Sequence, residues 1–395
     1  MTLGILYHMP FWHAADGTLW ESEGSFARYV DSLAPYFDEV VLSVPVFDHP
    51  QVSGSRVRAA NVRLAPLPYF AGPRQFYPML PRIYGRLSSW VAQCDVIHLR
   101  VPTPAAIFAF RAAMASRKPV FVLVVGDYEA LLPHLPYRGI KKTLFRAYVA
   151  FEEWALRQMT SRVLTFTNGA ALRRKHEHDG GRVIETKTTT LSQQDIGTRS
   201  DVAGHDRIRA LTVSRIDPRK GLRSLPPAVA QLVNEGIDIS LDVIGPTIGL
   251  IGDHEGDAIR REAAALGVGD RVTLVGVVPL DRLMSVYRDY DIFILPTQPG
   301  EGIPRVLLEA MANGLPIVTT DVSGITSLIA HEVNALLIAD TSSTAVAAAV
   351  SRLVHDGELR RRLIQGGYAT ARQYTLERQA AEMMQAVAAE LGWQA

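Results

Sequence analysis

The chain has 395 residues, 48% of them hydrophobic and 21% charged, with a formal net charge of +1. That length exceeds what one hydrophobic core usually serves, so two domains are expected. The single cysteine, Cys94, excludes an intramolecular disulfide and fits a reducing compartment. No apolar run approaches the roughly 18 residues of a membrane span, and the opening LGILYH reads as a strand rather than a signal peptide, so a cytoplasmic protein is expected.

Near-neutrality hides an asymmetry. Residues 1–200 carry 23 Lys and Arg against 16 Asp and Glu, and within 51–150 the balance is 14 against 3. A basic half beside an acidic half predicts that one half faces an anionic partner.

Taken in chain order, the first 190 residues alternate strand-like and helix-like runs. Strands are expected at Leu3–Tyr7, Val40–Val46, Val62–Pro66, Val96–Leu99, Val120–Val125 and Val163–Phe166, all short and rich in Val, Ile and Leu. Helical patterns between them include Phe26–Phe37, Ala105–Ala115 and Leu144–Met159. The alternation predicts a parallel, doubly wound sheet with ligands at the carboxyl ends of its strands. Polar residues cluster at three such ends: Gly24 and Ser25 opening a helix, His98 with Arg100, and Asp127 with Glu129. A Gly-Ser turn presents backbone amides to an anion, although Ser25 also reads as an N-cap, and each of the others as a capping or loop residue.

Two stretches of this half look unlike core. Residues 66–86 mix aromatics, prolines and arginines. Leu144–Met159, preceded by Lys141 and Lys142, reads either as a basic amphipathic helix on an anionic membrane surface or as a helix packed on its own sheet. Residues 192–207 are polar without apolar period and read as the linker. The alternation then restarts with strands at Ile208–Val213, Ile239–Ile244, Val272–Val275, Ile292–Leu295 and Ile317–Thr319, and three helical patterns close the chain.

The most informative stretch is Pro296–Val318. Pro304 reads as a first helical position and Gly314 as the residue past the helix end. Two acids sit there: Glu301 between glycines ahead of the helix, and Glu309 within a helix whose Leu307, Leu308 and Met311 mark it as buried. A buried carboxylate needs a partner, so Glu309 should meet a ligand or a protein group that mimics one. Upstream, Ser214–Gly221 places Arg215, Arg219 and Lys220 on a strand-to-helix loop, a natural receptor for a diphosphate. The helix from Pro304 would aim its positive end at the same ligand, with Glu309 on a ribose diol and Glu301 on an attached sugar.

Gly245, Gly249 and Gly252 have the wrong spacing for a dinucleotide loop. Asp289 and Asp291, at a helix-to-strand junction, read as capping residues, and no metal-ligand spacing is present, so neither metal nor cofactor is expected.

Ser214–Gly221, Val275-Gly276, Leu295-Pro296 and above all Glu301-Gly302 followed by Glu309-Ala310-Met311 resemble the retaining glycosyltransferases of family 4. The resemblance covers most of 208–340 and implies the GT-B fold, an α/β architecture of two doubly wound Rossmann-like domains facing across a cleft. It implies an acceptor domain at 1–200, a nucleotide-sugar domain at 201–374 and a last helix, about 375–395, crossing back onto the first. Arg215 and Lys220 would hold the donor diphosphate and Glu309 the ribose. Glu301 and the backbone of Gly302, Ile303 and Pro304 would contact the sugar, and Val277 the base. Acceptor-side roles for Gly24, Ser25, His98 and Asp127 rest on their strand-end positions, since the family often has other residues there. The implied reaction moves a hexose from a UDP- or GDP-linked donor to a saccharide or lipid-linked acceptor, with retention, at the inner membrane surface. No nucleic-acid partner is expected. A GT-B sugar-nucleotide epimerase and a catalytically inactive scaffold are the alternatives.

Overall fold

Runs of Val, Ile and Leu suit strands covered on both faces, and each expected run is a strand of a parallel sheet, only the edge runs at Val62 and Val272 being partly exposed. The computed structural model describes residues 1–22, 25–49, 54–70, 72–132, 139–177, 181–202, 207–298, 304–322, 325 and 328–393. The chain forms two compact units, Met1–Thr188 with Leu376–Ala395, and Thr189–Thr375.

The first unit contains β1 (Thr2–Leu6), β2 (Phe11–His13), β3 (Leu19–Glu21), β4 (Glu39–Ser43), β5 (Ser55–Arg56), β6 (Val62–Leu64), β7 (Val96–Val101), β8 (Val120–Val124), β9 (Leu164–Asn168) and β10 (Val183–Thr186). Seven of them form a parallel sheet in the order β10-β9-β8-β7-β1-β4-β6, with Leu3 opposite both Val40 and Val96. The chain runs from β1 outward to β4 and β6, then returns to β7 on the other side of β1. Strand order therefore reverses between β1 and β7, which opens a crevice at their carboxyl ends. The small antiparallel sheet β2-β3-β5 was not foreseen, because strands of two or three residues are too short to show a period.

One face of the large sheet is covered by Phe26, Tyr29 and Val30 of the Ser25–Leu33 helix together with Met383, Met384 and Val387 of the Leu376–Leu391 helix. The Ser25–Leu33 helix ends earlier than its pattern suggests, because Pro35 starts a 3-10 turn at Ala34–Tyr36. The other face buries Phe76, Ile83, Leu87 and Trp90. The reading of 66–86 as unlike core is thereby corrected. Its prolines begin helical segments at Pro73–Phe76 and Leu80–Gln93, and Phe70 and Phe76 are buried while Tyr69, Tyr77 and Tyr84 stay exposed. The expected Leu144–Met159 helix runs from Ile140 to Thr160 and packs one stripe inward, as the second of its two readings required. Val149, Ala155, Leu156 and Met159 are buried, while Ile140, Leu144, Phe151 and Trp154 are exposed.

The second unit holds β11 (Ile208–Val213), β12 (Ile239–Ile244), β13 (Val272–Gly276), β14 (Ile292–Leu295), β15 (Ile317–Thr320) and β16 (Leu336–Ile338). They form a parallel sheet ordered β13-β12-β11-β14-β15-β16, whose order reverses between β11 and β14. The linker expectation is corrected here. The boundary falls after Thr188 instead of near 200, and much of the described polar segment that follows is tied to the second unit. Leu191 is fully buried, the Gly197 amide donates to the Ala312 carbonyl at 2.7 Å, and the Arg199 amide donates to the Tyr368 hydroxyl at 2.8 Å. Hydrogen bonds, rather than an apolar stripe, seat this segment, so hydropathy did not reveal it. Among the described residues no helix is long and apolar enough to cross a membrane.

Candidate functional site

In the second unit the loops after β11 and β14 flank the point where strand order reverses, the place where open α/β sheets take ligands. The first is the cationic loop. Asp217 starts a 3-10 turn at Pro218–Lys220, accepting from the Arg219 amide at 3.0 Å. It also grips the Arg219 guanidinium through both oxygens, at 3.0 and 2.7 Å. That hydrogen bonding holds the Asp217 carboxyl down to about 2. Arg219 is thus engaged locally. Arg215 lies exposed, and Lys220, last in the turn, is buried.

Two glycines let other strand ends close onto this loop. Gly221 has φ of +67°, and a Cβ there would lie 2.0 Å from the Pro296 carbonyl oxygen. Gly245, at the end of β12, would place a Cβ 1.9 Å from the Ser214 carbonyl oxygen. The contact with Pro296 is reinforced where the Gln298 amide and the Thr297 hydroxyl donate to the Arg219 carbonyl, at 2.8 and 3.2 Å. The cationic loop and the segment after β14 are therefore one assembly.

The helix beyond spans Arg305–Ala312, one residue later than expected. Pro304 is its extended N-cap rather than its first helical residue. Gly314 has φ of +67° past the helix end, as its position suggested. Glu309 is 4% exposed, and protein groups meet both of its oxygens. The Thr190 hydroxyl donates to Oε1 at 3.0 Å and the Tyr287 hydroxyl to Oε2 at 2.9 Å. Burial and the adjacent carboxylate push the Tyr287 phenol well above its ordinary range. A carboxylate has about four acceptor sites, so two donated bonds leave capacity for a ligand diol. Neither Thr190 nor Tyr287 was singled out from the sequence, since 119 and 22 residues separate them from Glu309. Val277, just past β13, is 70% exposed. Glu301, Gly302 and Ile303 lie outside the described residues, as does Gly24.

Asp291 is not the solvated cap its junction suggested but a buried acid that ties β14 to β11. Asp291 accepts from the Arg209 amide at 2.8 Å and is 1% exposed.

In the first unit the strand-end residues are recast. His98 is fully buried, with Nε2 2.8 Å from the Tyr29 hydroxyl and Nδ1 3.5 Å from the Phe121 carbonyl, and burial lowers its pKa to about 3. It faces the core, not a substrate. Ser25 is the first residue of its helix and does not cap it. The cap is Glu21, a fully buried acid accepting from the Phe26 and Ala27 amides at 3.2 and 3.3 Å. The anion anticipated at that turn is supplied by the protein. Asp127 takes the capping role, accepting from the Glu129 amide at 2.9 Å. It also belongs to a group with Glu129 and Glu153 that is spaced for a cation. Lys175 places its ammonium among the three, at 2.7, 3.0 and 2.9 Å.

Two parallel doubly wound units, one with a cationic loop locked to the segment after β14 at its switch point, define the GT-B architecture. Residues 198–370 match the family described as glycosyl transferases group 1. The amylovoran biosynthesis glycosyltransferase AmsK of Erwinia amylovora is 35% identical over 154 residues, 38% of this chain and 36% of AmsK. The chain thus spans about a third of that relative's length. A phosphatidyl-myo-inositol mannosyltransferase of Mycobacterium leprae (strain TN) is 22% identical over 347 residues, 85% of this chain and 84% of the relative. Among solved structures, Anabaena Alr3699/HepE in complex with UDP superimposes with a TM-score of 0.68 at 16% identity, covering 98% of this chain and all of that one. At that identity the likeness shows the fold.

Proposed function

We propose that this protein transfers a hexose, with retention, from a nucleotide diphosphate sugar to a saccharide or lipid-linked acceptor in polysaccharide or glycolipid assembly. The observation that carries the reading is the joint made by Gly221 against Pro296, which sets the cationic loop against the segment that leads from β14 toward the helix bearing Glu309. Arg215 and Lys220 receive the diphosphate, Glu309 the ribose hydroxyls, and Val277 the base. Glu301 and the Gly302–Pro304 backbone receive the sugar. The named relatives act in polysaccharide assembly or on phosphatidyl-myo-inositol, and the named structure holds UDP, which favours a UDP- or GDP-linked donor.

In the reaction the bond from the anomeric carbon to the diphosphate oxygen breaks, and the leaving nucleoside diphosphate keeps the electron pair. The acceptor hydroxyl bonds to the same face of that carbon and gives its proton to the departing phosphate oxygen. Charge on the leaving group is offset by Arg215, Lys220 and the amides at the start of the Arg305–Ala312 helix. This reading assigns no metal and no cofactor. Calorimetry with UDP, GDP and ADP, then transfer assays on Arg215→Ala and Lys220→Ala, test it. Selective nucleotide binding that both substitutions abolish is expected, and full transfer by either variant overturns it. Donor turnover without acceptor separates an active transferase from an inactive scaffold, and recovery of an epimerised donor would favour the epimerase.

The acceptor side belongs to the first unit, at the cytoplasmic face of a membrane. Exposed Ile140, Leu144, Phe151 and Trp154 beside exposed Lys141, Lys142 and Arg146 support peripheral binding to anionic lipid. Absence of co-sedimentation with anionic vesicles at low salt would remove this part of the reading.

A further inference from the structure

Arg100 stands near the carboxyl end of β7, and the chain leaving β1 passes beside it through Tyr7 and His8, at the reversal point of the first sheet. It is 8% exposed, and its Nε and Nη1 are buried without a hydrogen-bond partner. What surrounds it is aromatic. The rings of Tyr29, Tyr7 and Phe26 lie 4.6, 4.9 and 5.3 Å from its Cζ. Ring faces attract a cation, but they give its N–H groups no acceptor. Glu21, the buried acid of this region, directs Oε2 to the Phe26 and Ala27 amides, and no ion pair to Arg100 forms among the described residues.

A second orphan lies beside it. His8 Nδ1 is buried and without a partner. Burial, then the charge of Arg100, holds the imidazole down to about 4 against a backbone hydrogen bond at Pro102, so at neutral pH it carries no competing charge. A buried cation with open N–H groups is costly to keep unless something supplies the opposite charge. His98, two residues earlier on the same strand face, shows the contrast, since both its nitrogens are met by the protein.

We propose that Arg100, with His8 beside it, binds an oxyanion carried by the acceptor, a phosphate or a carboxylate. The word acceptor rests on the transferase reading above, but the site is built wholly from the first unit. A planar guanidinium walled by aromatic rings suits either oxyanion, since the rings exclude water and leave the N–H groups to the ligand. The acceptor class is then an anionic saccharide or a phosphate-bearing lipid or sugar, in keeping with the basic excess of residues 51–150.

The test titrates inorganic phosphate and glucuronate into wild type, Arg100→Gln, Arg100→Met and the double variant Arg215→Ala/Lys220→Ala. At least one probe should bind wild type and the double variant alike and bind both Arg100 variants tenfold or more weakly. The weakened probe tells phosphate from carboxylate. Arg100→Met should melt at the same or a higher temperature, because it removes an uncompensated buried charge. Equal binding by wild type and the Arg100 variants, binding of neither probe by wild type, or a lower melting temperature in Arg100→Met overturns the proposal. UDP and GDP titrations of the same proteins keep the two readings apart. Failure of wild type to bind any nucleotide overturns the donor assignment, while an Arg100-dependent oxyanion site would stand.

Discussion

Tyr287 and Glu309 meet inside the second unit, the phenol donating to Oε2 at 2.9 Å while Thr190 donates to Oε1 at 3.0 Å. This pair of hydroxyls lets a helix with buried Leu307, Leu308 and Met311 also carry an acid. The two bonds fix the carboxylate in its buried position.

Tyr287→Phe removes one donor and leaves a buried carboxylate oxygen short of a partner. Unfolding in urea should show a loss of about 1–3 kcal/mol with an unchanged slope. Glu309→Ala should weaken nucleotide binding by roughly tenfold or more in calorimetry, the scale of hydrogen bonds to a charged group. Unchanged affinity in Glu309→Ala would detach this acid from the proposed ribose contact.

Gly221 tolerates nothing larger. With φ of +67° and the Pro296 oxygen 2.0 Å from an added Cβ, Gly221→Ala must move either the cationic loop or the end of β14. We expect a stability loss of about 1–3 kcal/mol and a larger proportional loss of nucleotide affinity. Thermal melts and titrations on one preparation check both. A variant that loses stability but binds nucleotide normally would show the joint to be structural only.

Glu152, on the Ile140–Thr160 helix, is 4% exposed, and burial raises its carboxyl from 4.5 to about 7. A carboxyl raised on folding binds its proton more tightly in the folded state. Its stabilisation is complete below about pH 4.5 and is lost as pH rises through 7, by up to about 3 kcal/mol. Wild type should therefore weaken between pH 5 and 8 by an increment that Glu152→Gln lacks. Parallel pH profiles for the two proteins would contradict the assignment.

The exposed apolar residues of the same helix lie away from its buried stripe. Leu144→Ser with Trp154→Ser should change stability by only about 0.5 kcal/mol per site and sharply reduce co-sedimentation with anionic vesicles. Lys141→Glu with Lys142→Glu should act in the same direction and flatten the salt dependence. Vesicle binding insensitive to all four changes would point to another surface.

Much of the architecture was legible in sequence because it depends on local pattern. Doubly buried parallel strands must be apolar throughout, so their positions appear as runs, and Gly314 marked a helix end through a backbone conformation few other residues tolerate. Boundaries were less legible. The segment after Thr188 is held by single hydrogen bonds such as Gly197 to Ala312, and residues 66–86 hide core aromatics among prolines and arginines. The strand-end polar residues divided by burial. Asp127 became a cap with Lys175 beside it, and His98 became core. Arg100, next but one to His98, was left without a counterion.

The sequence by itself determined two parallel α/β units, a cationic loop after β11 and two acids around the helix at Pro304, because spacing along the chain encodes each of these. Only the tertiary structure decided which charges are already answered by the protein. Glu309 is met by Thr190 and Tyr287, and Asp127 by Lys175. Partnering of this kind depends on distance in space, and residues tens to hundreds of positions apart carry no trace of it in their order. Arg100 became visible only once the fold showed what does not touch it.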